Sequence, residues 1–312
     1  MKILVIGAGG IGCYYGAKLI NSGHIVDFIA RGKHLEAIKE NGLIVQHPDF
    51  QFNKVVNAFE LDYLVKIEDH SYDLILLTAK ATETQSIVNK IADWYQQNPV
   101  PIMSLQNGVD NEDILKKGLK TELVLGGIAR RIGGHIKSPG LIDVKGIAEI
   151  IFGPYPNAMY NESVKEICIS IQEKFTAAGI PAFYNENIRK VLWKKLIINN
   201  GVNPLTALTG HDTKVVSHQE GLKEIVYGMM KEVQIIAEKE GIDLGEEDVL
   251  EMFNLVQSFD PIKTSMLVDV EKGRKIELEE ISGHLLKKAA KHEITISFTN
   301  SIYGLLKEKL AQ

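Results

Sequence analysis

Three polar side chains recur one helical turn apart in the stretch Trp193–Pro204: Lys195, Asn199 and Asn203. On a helix this spacing stacks them on one face, among the apolar Leu196, Ile197, Ile198 and Val202. Amide and ammonium groups on such a helix cost free energy unless they are hydrogen-bonded. The stripe therefore lines either a ligand site or a structural polar network, and spacing alone does not choose. Lys194 falls on a neighbouring face, and Pro204 disfavours helical geometry at Asn203 and predicts a kink there.

A second group of residues has a narrower chemistry. Lys2–Ile6 reads as a buried strand and runs straight into Gly7, Ala8, Gly9, Gly10, Ile11 and Gly12, ahead of the helical stretch Cys13–Asn21. Strand, glycines and helix in that order suit a dinucleotide. Gly7 permits a tight turn, Gly9 lets a pyrophosphate approach the backbone, and Gly12 lets the helix pack closely on the strand. The free amides and positive dipole end of the helix then face the phosphates. The alternative is a tight turn with no ligand. The next strand, Ile25–Ala30, is followed by Arg31, where an acidic residue would hold the ribose hydroxyls of NAD, so NADP(H) is favoured. Asp27 sits mid-strand, poorly placed for the ribose. Lys33 and His34 thicken the positive patch, unless they only solvate a loop.

Residues 1–186 alternate short apolar runs with helical stretches, the signature of βα units and a parallel sheet. Asp73–Thr78 and Pro101–Leu105 read as strands, followed by helices around Glu83–Tyr95 and Glu112–Lys117. From Glu122 to Gly153, β-type runs at Leu123–Ile128, Leu141–Val144 and Ala148–Phe152 are separated by glycines and read as antiparallel additions to the sheet edge. A helix at Ser163–Ala178 and a strand at Ala182–Tyr184 close this domain. Residues 187–312 read as helices throughout. Apolar residues recur at helical spacing from Leu222 to Ala237, and further helices are expected at Glu246–Gln257, Ile262–Lys272, Ile276–His292 and Asn300–Leu310. The fold class is thus an α/β Rossmann-type N-terminal domain (1–186) with added antiparallel strands, followed by an all-α C-terminal domain (187–312). Such a pair predicts a cleft at the carboxyl ends of the strands, with reactive side chains supplied by the helical part.

The 312 residues suffice for two cores, and 45% apolar and 24% charged residues with a net charge of −5 describe a globular chain without a basic face for nucleic acid. No apolar stretch is long enough for a membrane span, and Met1 enters the first strand with no charged-then-apolar leader, so a cytoplasmic location is expected. Cys13 and Cys168 are too few for a disulfide framework and lack metal-ligand spacing, so no metal is expected and both read as packing residues. None of the nine histidines sits in a motif.

Several motifs together carry a resemblance over nearly the whole length. Beside the opening glycines stand Ile29-Ala30-Arg31-Gly32, Thr78-Ala79-Lys80, Gln106-Asn107-Gly108, the Trp-Lys-Lys-Leu…Asn-Pro-Leu-Thr helix, and Ser265–Asp269 followed by Ile276-Glu277. In these the chain resembles the ketopantoate reductases, which use NADPH on the route to pantothenate. The resemblance implies that Lys195 is the proton donor to a ketone and that Asn199 and Asn203 line the substrate pocket. It implies that Ser265 holds the substrate carboxylate, that Glu277 bonds a substrate hydroxyl, and that Asn107 sits beside cofactor and substrate. Arg31 and Lys80 match cofactor-binding positions on the adenosine side. The implied partner is a small 2-keto acid, with ketopantoate first and another branched or aromatic 2-keto acid of the same family as the alternative; a non-enzymatic NADPH-binding sensor is a distant third. A monomer or homodimer is expected.

Each of these residues also has a plainer reading. Ser265 follows Pro261 and precedes an apolar run, which suits helix capping. Glu277 lies in an acidic stretch with Glu279 and Glu280 that suits a solvated face. Asn107-Gly108 is a common turn dipeptide. Where the family often carries Ile-Pro-x-Pro near the last loop, this chain has Ile294-Thr295-Ile296-Ser297-Phe298.

Overall fold

The computed structural model of the chain describes residues 1–66, 71–157 and 162–311. It divides into two compact units, one of residues 1–106 with 111–188 and one of residues 107–110 with 189–312.

The first unit is built on a ten-stranded sheet. Its strands are β1 (Lys2–Ile6), β2 (Ile25–Ile29), β3 (Leu43–His47), β4 (Phe50–Lys54), β5 (Asn57–Phe59), β6 (Leu74–Leu77), β7 (Ile102–Ser104), β8 (Val124–Ser138), β9 (Leu141–Pro154) and β10 (Ala182–Tyr184). They run in the order β4-β3-β9-β8-β7-β6-β1-β2-β5, with β10 also paired to β9. The run from β8 through β7, β6, β1 and β2 to β5 is parallel. The first unit's helices are α1 (Gly10–Asn21), α2 (Gly32–Asn41), α3 (Leu61–Leu64), α4 (Thr84–Gln97), α5 (Asn111–Leu119) and α6 (Glu162–Ala177). Central strands such as Leu74–Leu77 are buried along their whole length, as expected of a parallel sheet covered on both faces.

Two stretches differ from the sequence reading. The three β-type runs between 122 and 153 belong to two long strands, β8 and β9, which form one antiparallel hairpin. The glycines do not separate strands but absorb irregularity within them. The register shifts between Arg130 and Ile132, where Arg131 takes φ +53° opposite Gly146 at φ +102°, the conformation a bulge needs. The hairpin of β3 and β4 was not expected. Its alternating pattern around Pro48-Asp49 is short, and β3 finds its parallel partner almost a hundred residues away, in β9. Cys13 and Cys168 are fully buried, and burial pushes both thiols up, Cys168 to about 12, so both behave as packing groups.

The second unit has no strand among its described residues. Its helices are α7 (Ile188–Thr209), α8 (Thr213–His218), α9 (Leu222–Lys239), α10 (Glu246–Gln257), α11 (Ser265–Glu271), α12 (His284–Lys291) and α13 (Ser297–Ala311). The periodic residues Val226, Met229, Met230, Val233 and Ile236 of α9 are wholly buried. Gly201 brings α7 close to α9, since a Cβ there would lie 2.6 Å from Met230 Cγ. Helix α11 is shorter than the expected span, beginning only after the cap at Thr264. The expected helix at Ile276–His292 starts two residues late and opens with a π-helical turn, Glu279–Gly283, before α12. In the last loop, where the chain departs from the Ile-Pro-x-Pro pattern, the Glu232 carboxylate accepts the Phe298 and Thr299 amides at 2.8 and 2.7 Å and so caps α13.

Candidate active site

In the first unit the glycine turn performs four separate tasks. Gly7 has φ +113°, and a Cβ there would fall 2.3 Å from the Ala79 amide nitrogen. A Cβ on Gly12 would lie 2.3 Å from the Gly7 carbonyl oxygen, which explains how closely α1 can lean on β1. Gly10 touches β8, where a Cβ would meet the Gly134 backbone at 2.2 Å. Only Gly9 faces open space, with no atom within 4 Å of a Cβ built on it.

The backbone donors sort in the same way. Gly7 and Ala8 give their amides to the Ile29 carbonyl at 3.3 and 3.0 Å, and Gly9 gives its own to Gly7 at 2.8 Å. The Ala8 amide is therefore spent within the protein, and any Ala8 contact to a ligand falls to its other atoms. The turn from Gly9 into α1 closes with Cys13 N–H to Gly9 O, so the first-turn amides of Gly10, Ile11 and Gly12 are the orphan donors of the helix. No side chain caps them. Open space over Gly9 beside an uncapped helix N-terminus fits a pyrophosphate.

Arg31 stands at the N-cap position of α2, with its side chain 82% exposed and Nη1 3.3 Å from Glu83 Oε2. Lys80 is exposed, and its carbonyl accepts the Glu83 amide at 2.9 Å. Glu83 thus meets the Arg31 side chain and the Lys80 backbone. Asp27 is occupied elsewhere, accepting from Tyr72 Oη at 2.7 Å and Asn57 Nδ2 at 2.8 Å. His34 departs from expectation. Its ring Nδ1 accepts the Gly140 amide at 3.0 Å and burial lowers its pKa, so the ring is neutral and adds nothing to the positive patch.

In the second unit, α7 carries Lys195, Asn199 and Asn203 as the spacing predicts, with Lys195 and Asn199 half-buried and Asn203 buried. The helix continues through Pro204, and the Thr206 hydroxyl donates to the Asn203 carbonyl at 2.9 Å. The structural polar network that the sequence left open does exist, but on another face. Asn200 is wholly buried, donating to Thr299 Oγ1 at 3.0 Å and accepting from Ser282 Oγ at 2.8 Å. Lys194 reaches α10, 3.1 Å from Asp248 and 2.6 Å from Glu251. Neighbouring positions thus carry the structural contacts to α10, α13 and the Ser282 turn.

Ser265 is exposed at the first position of α11, and its hydroxyl makes no hydrogen bond among the described residues. The cap is Thr264, which accepts the Leu267 amide at 3.3 Å. Thr264 Oγ1 also lies 2.6 Å from Thr206 Oγ1, which ties the start of α11 to α7 one turn beyond Asn203. Glu277 is half-buried and accepts a hydrogen bond from Asn107 Nδ2 at 2.8 Å, although the two are far apart in sequence. Its acidic neighbours differ. Glu279 is exposed and bonded to Tyr303 and Lys307, whereas Glu280 is half-buried with its carboxyl pushed up by burial and then by the Glu277 charge. Sequence reasoning gave no role to the Thr206 and Thr264 hydroxyls, whose contact joins distant segments.

A glycine turn at the head of a parallel sheet, followed by an all-helical unit bearing a lysine–asparagine stripe, is the build of a nicotinamide-dinucleotide oxidoreductase. The chain belongs to the ketopantoate reductase PanE/ApbA family, matching its model over residues 3–157 and its C-terminal model over residues 187–310. It is 31% identical to a 2-dehydropantoate 2-reductase of Pyrococcus horikoshii over 99% of this chain and 97% of that one. A crystal structure of 2-dehydropantoate 2-reductase from Methylococcus capsulatus superposes with a TM-score of 0.83 at 31% identity, covering 98% of this chain and 96% of that one. The fold is also that of a D-mandelate dehydrogenase solved with NADH and anilino(oxo)acetate, with a TM-score of 0.88 at 23% identity over 100% of this chain and 99% of that one. No helix among the described residues is long and apolar enough to cross a membrane.

Proposed function

We propose that this chain reduces ketopantoate to pantoate at the expense of NADPH, with Lys195 as the general acid. The observation that carries the reading is the hydrogen bond from Asn107 to Glu277, in the unit whose α7 holds the Lys195, Asn199 and Asn203 stripe. It leaves a carboxylate and an amide as polar partners for a hydroxylated substrate.

Gly7–Gly12, Arg31 and Lys80 would hold the dinucleotide, the pyrophosphate over Gly9 and the 2′-phosphate at the Arg31–Lys80 corner. An exposed pair such as Arg31 and Glu83 is worth little, so a phosphate dianion displaces it readily. When bound, a reduced nicotinamide supplies a hydride to the 2-keto carbon. Negative charge then builds on the carbonyl oxygen, and the Lys195 ammonium stabilises it and delivers a proton there, worth on the order of 10² to 10⁴ in rate. Ser265, with its hydroxyl unspent, takes the substrate carboxylate. Asn199 and Asn203 fix the carbonyl and its neighbours, while Glu277 accepts from the substrate hydroxyl.

Following NADPH and NADH oxidation against ketopantoate and a panel of branched and aromatic 2-keto acids tests the assignment. Ketopantoate with NADPH is expected to give the highest kcat/KM. A higher value with another 2-keto acid would move the chain to a different substrate within the same chemistry.

A further inference from the structure

Asn107 lies in a short segment that is held at every point. Gly108 takes φ +94°, a backbone conformation that glycine alone adopts cheaply. Before the segment, the buried Gln106 donates through Nε2 to the Ala79 carbonyl and to Thr84 Oγ1, both at 2.9 Å. After it, Asn111 accepts from Thr84 Oγ1 at 2.8 Å. Between them Asp110 is gripped by α12, its two carboxylate oxygens lying 2.7 Å from His284 Nδ1 and 2.8 Å from Lys288 Nζ. Lys288 is itself shared with Glu240, 3.4 Å away, which also holds Lys291 at 2.9 Å and His292 at 2.6 Å. The centre of the cluster is largely shielded, with Asp110 side-chain exposure at 22% and that of Lys288 at 17%, while Lys291 at its rim is 67% exposed.

The chain itself links this cluster to the contact between Asn107 and Glu277. Asp110 is three residues from Asn107, and Asn107 meets Glu277 just ahead of the π-helical turn that leads into α12. The same helical segment therefore presents Glu277 at its start and His284 and Lys288 further on, and the segment 107–110 bonds to it at both ends. A two-point attachment of this kind fixes the Asn107 amide in direction as well as distance.

We propose that Asp110 is a positioning residue for substrate selection: clamped by His284 and Lys288, it sets the Asn107 amide against Glu277 and so fixes the orientation in which that carboxylate meets the substrate hydroxyl. The inference rests on the reading of Glu277 as the hydroxyl partner. It assigns to this chain a discrimination device built from Asp110, His284 and Lys288. Such a device acts on a substrate that carries the hydroxyl and is silent on one that lacks it.

The test compares ketopantoate with trimethylpyruvate, the same acid without the hydroxyl, in Asp110→Ala, Glu277→Gln and the double variant. Asp110→Ala is expected to raise KM for ketopantoate roughly tenfold, with kcat changed less than about threefold and kcat/KM for trimethylpyruvate nearly unchanged, as for coupled residues acting through one contact. In the Glu277→Gln background, Asp110→Ala is expected to add little. Asp110→Glu should recover part of the loss. If Asp110→Ala folds poorly, His284→Gln and Lys288→Met, each breaking one half of the clamp, should each give a smaller selective rise. Equal losses on both acids, or losses that simply add in the double variant, would overturn the inference while leaving Glu277 as the hydroxyl partner. If Glu277→Gln itself leaves the ratio between the two acids unchanged, the reading beneath it fails, and the inference with it.

Discussion

A carboxylate held between an imidazole and an ammonium group keeps its charge far into acid, and Asp110 is the clearest case in this chain. Burial pushes its carboxyl up, but the hydrogen bonds and charges of His284 and Lys288 outweigh that and bring it down to about 2. Because the folded value lies below the unfolded one, the clamp's stabilisation is fully present above about pH 4 and is lost as the pH falls toward 2. The shift corresponds to about 2 kcal/mol. The gap in urea midpoint between the protein and Asp110→Asn is therefore expected to be widest near neutrality and to narrow progressively below about pH 4. A gap that stays constant down to pH 2.5 would contradict the charge on Asp110 as its source. At this scale the sequence was only partly legible. Lys195, Asn199 and Asn203 share a face because helical spacing is local, and Asn107 and Glu277 were named only through a resemblance. Their meeting depends on a contact across a long loop of chain, which no local pattern encodes. Asp110 and Thr264 escaped notice for the same reason, since each matters through a partner on a distant segment.

The turn between β1 and α1 gives a test at the scale of elements. Gly9 and Gly10 are adjacent and look equivalent in sequence, but one faces open space and the other the Gly134 backbone. Gly9→Ala is expected to leave the melting temperature near that of the parent and to weaken NADPH binding, because the new methyl occupies the phosphate's approach. Gly10→Ala is expected to destabilise by about 1–3 kcal/mol through overpacking against β8. Thermal melts with NADPH titrations separate the two. A Gly9→Ala protein that melts early while binding normally would contradict the assignment of that space. The strands and helices of the βα alternation were legible because each is a local apolar pattern bounded by turn residues. The β8–β9 hairpin was misjudged as three strands because glycines were read as ends where they serve bulges. The π-helical turn at Glu279–Gly283, whose Ser282 hydroxyl bonds Asn200 on α7, leaves no mark in the local apolar pattern.

Across the whole chain, the division of labour is between a first unit that has the features of a dinucleotide binder and a second that carries the lysine. Composition and alternation made this two-part build readable, together with its fold class. The ten-strand order was not, because β3 pairs with β9 and non-local pairing leaves no mark on either strand alone. If the labour is divided in this way, removing the Lys195 amine should abolish one function and spare the other. The most direct measurement is the single-turnover rate of Lys195→Ala on ketopantoate beside its NADPH dissociation constant. The rate is expected to fall by on the order of 10² to 10⁴ with the dissociation constant within about threefold of the parent's. A rate that falls less than about tenfold, or a parallel collapse of NADPH binding and rate, would contradict it.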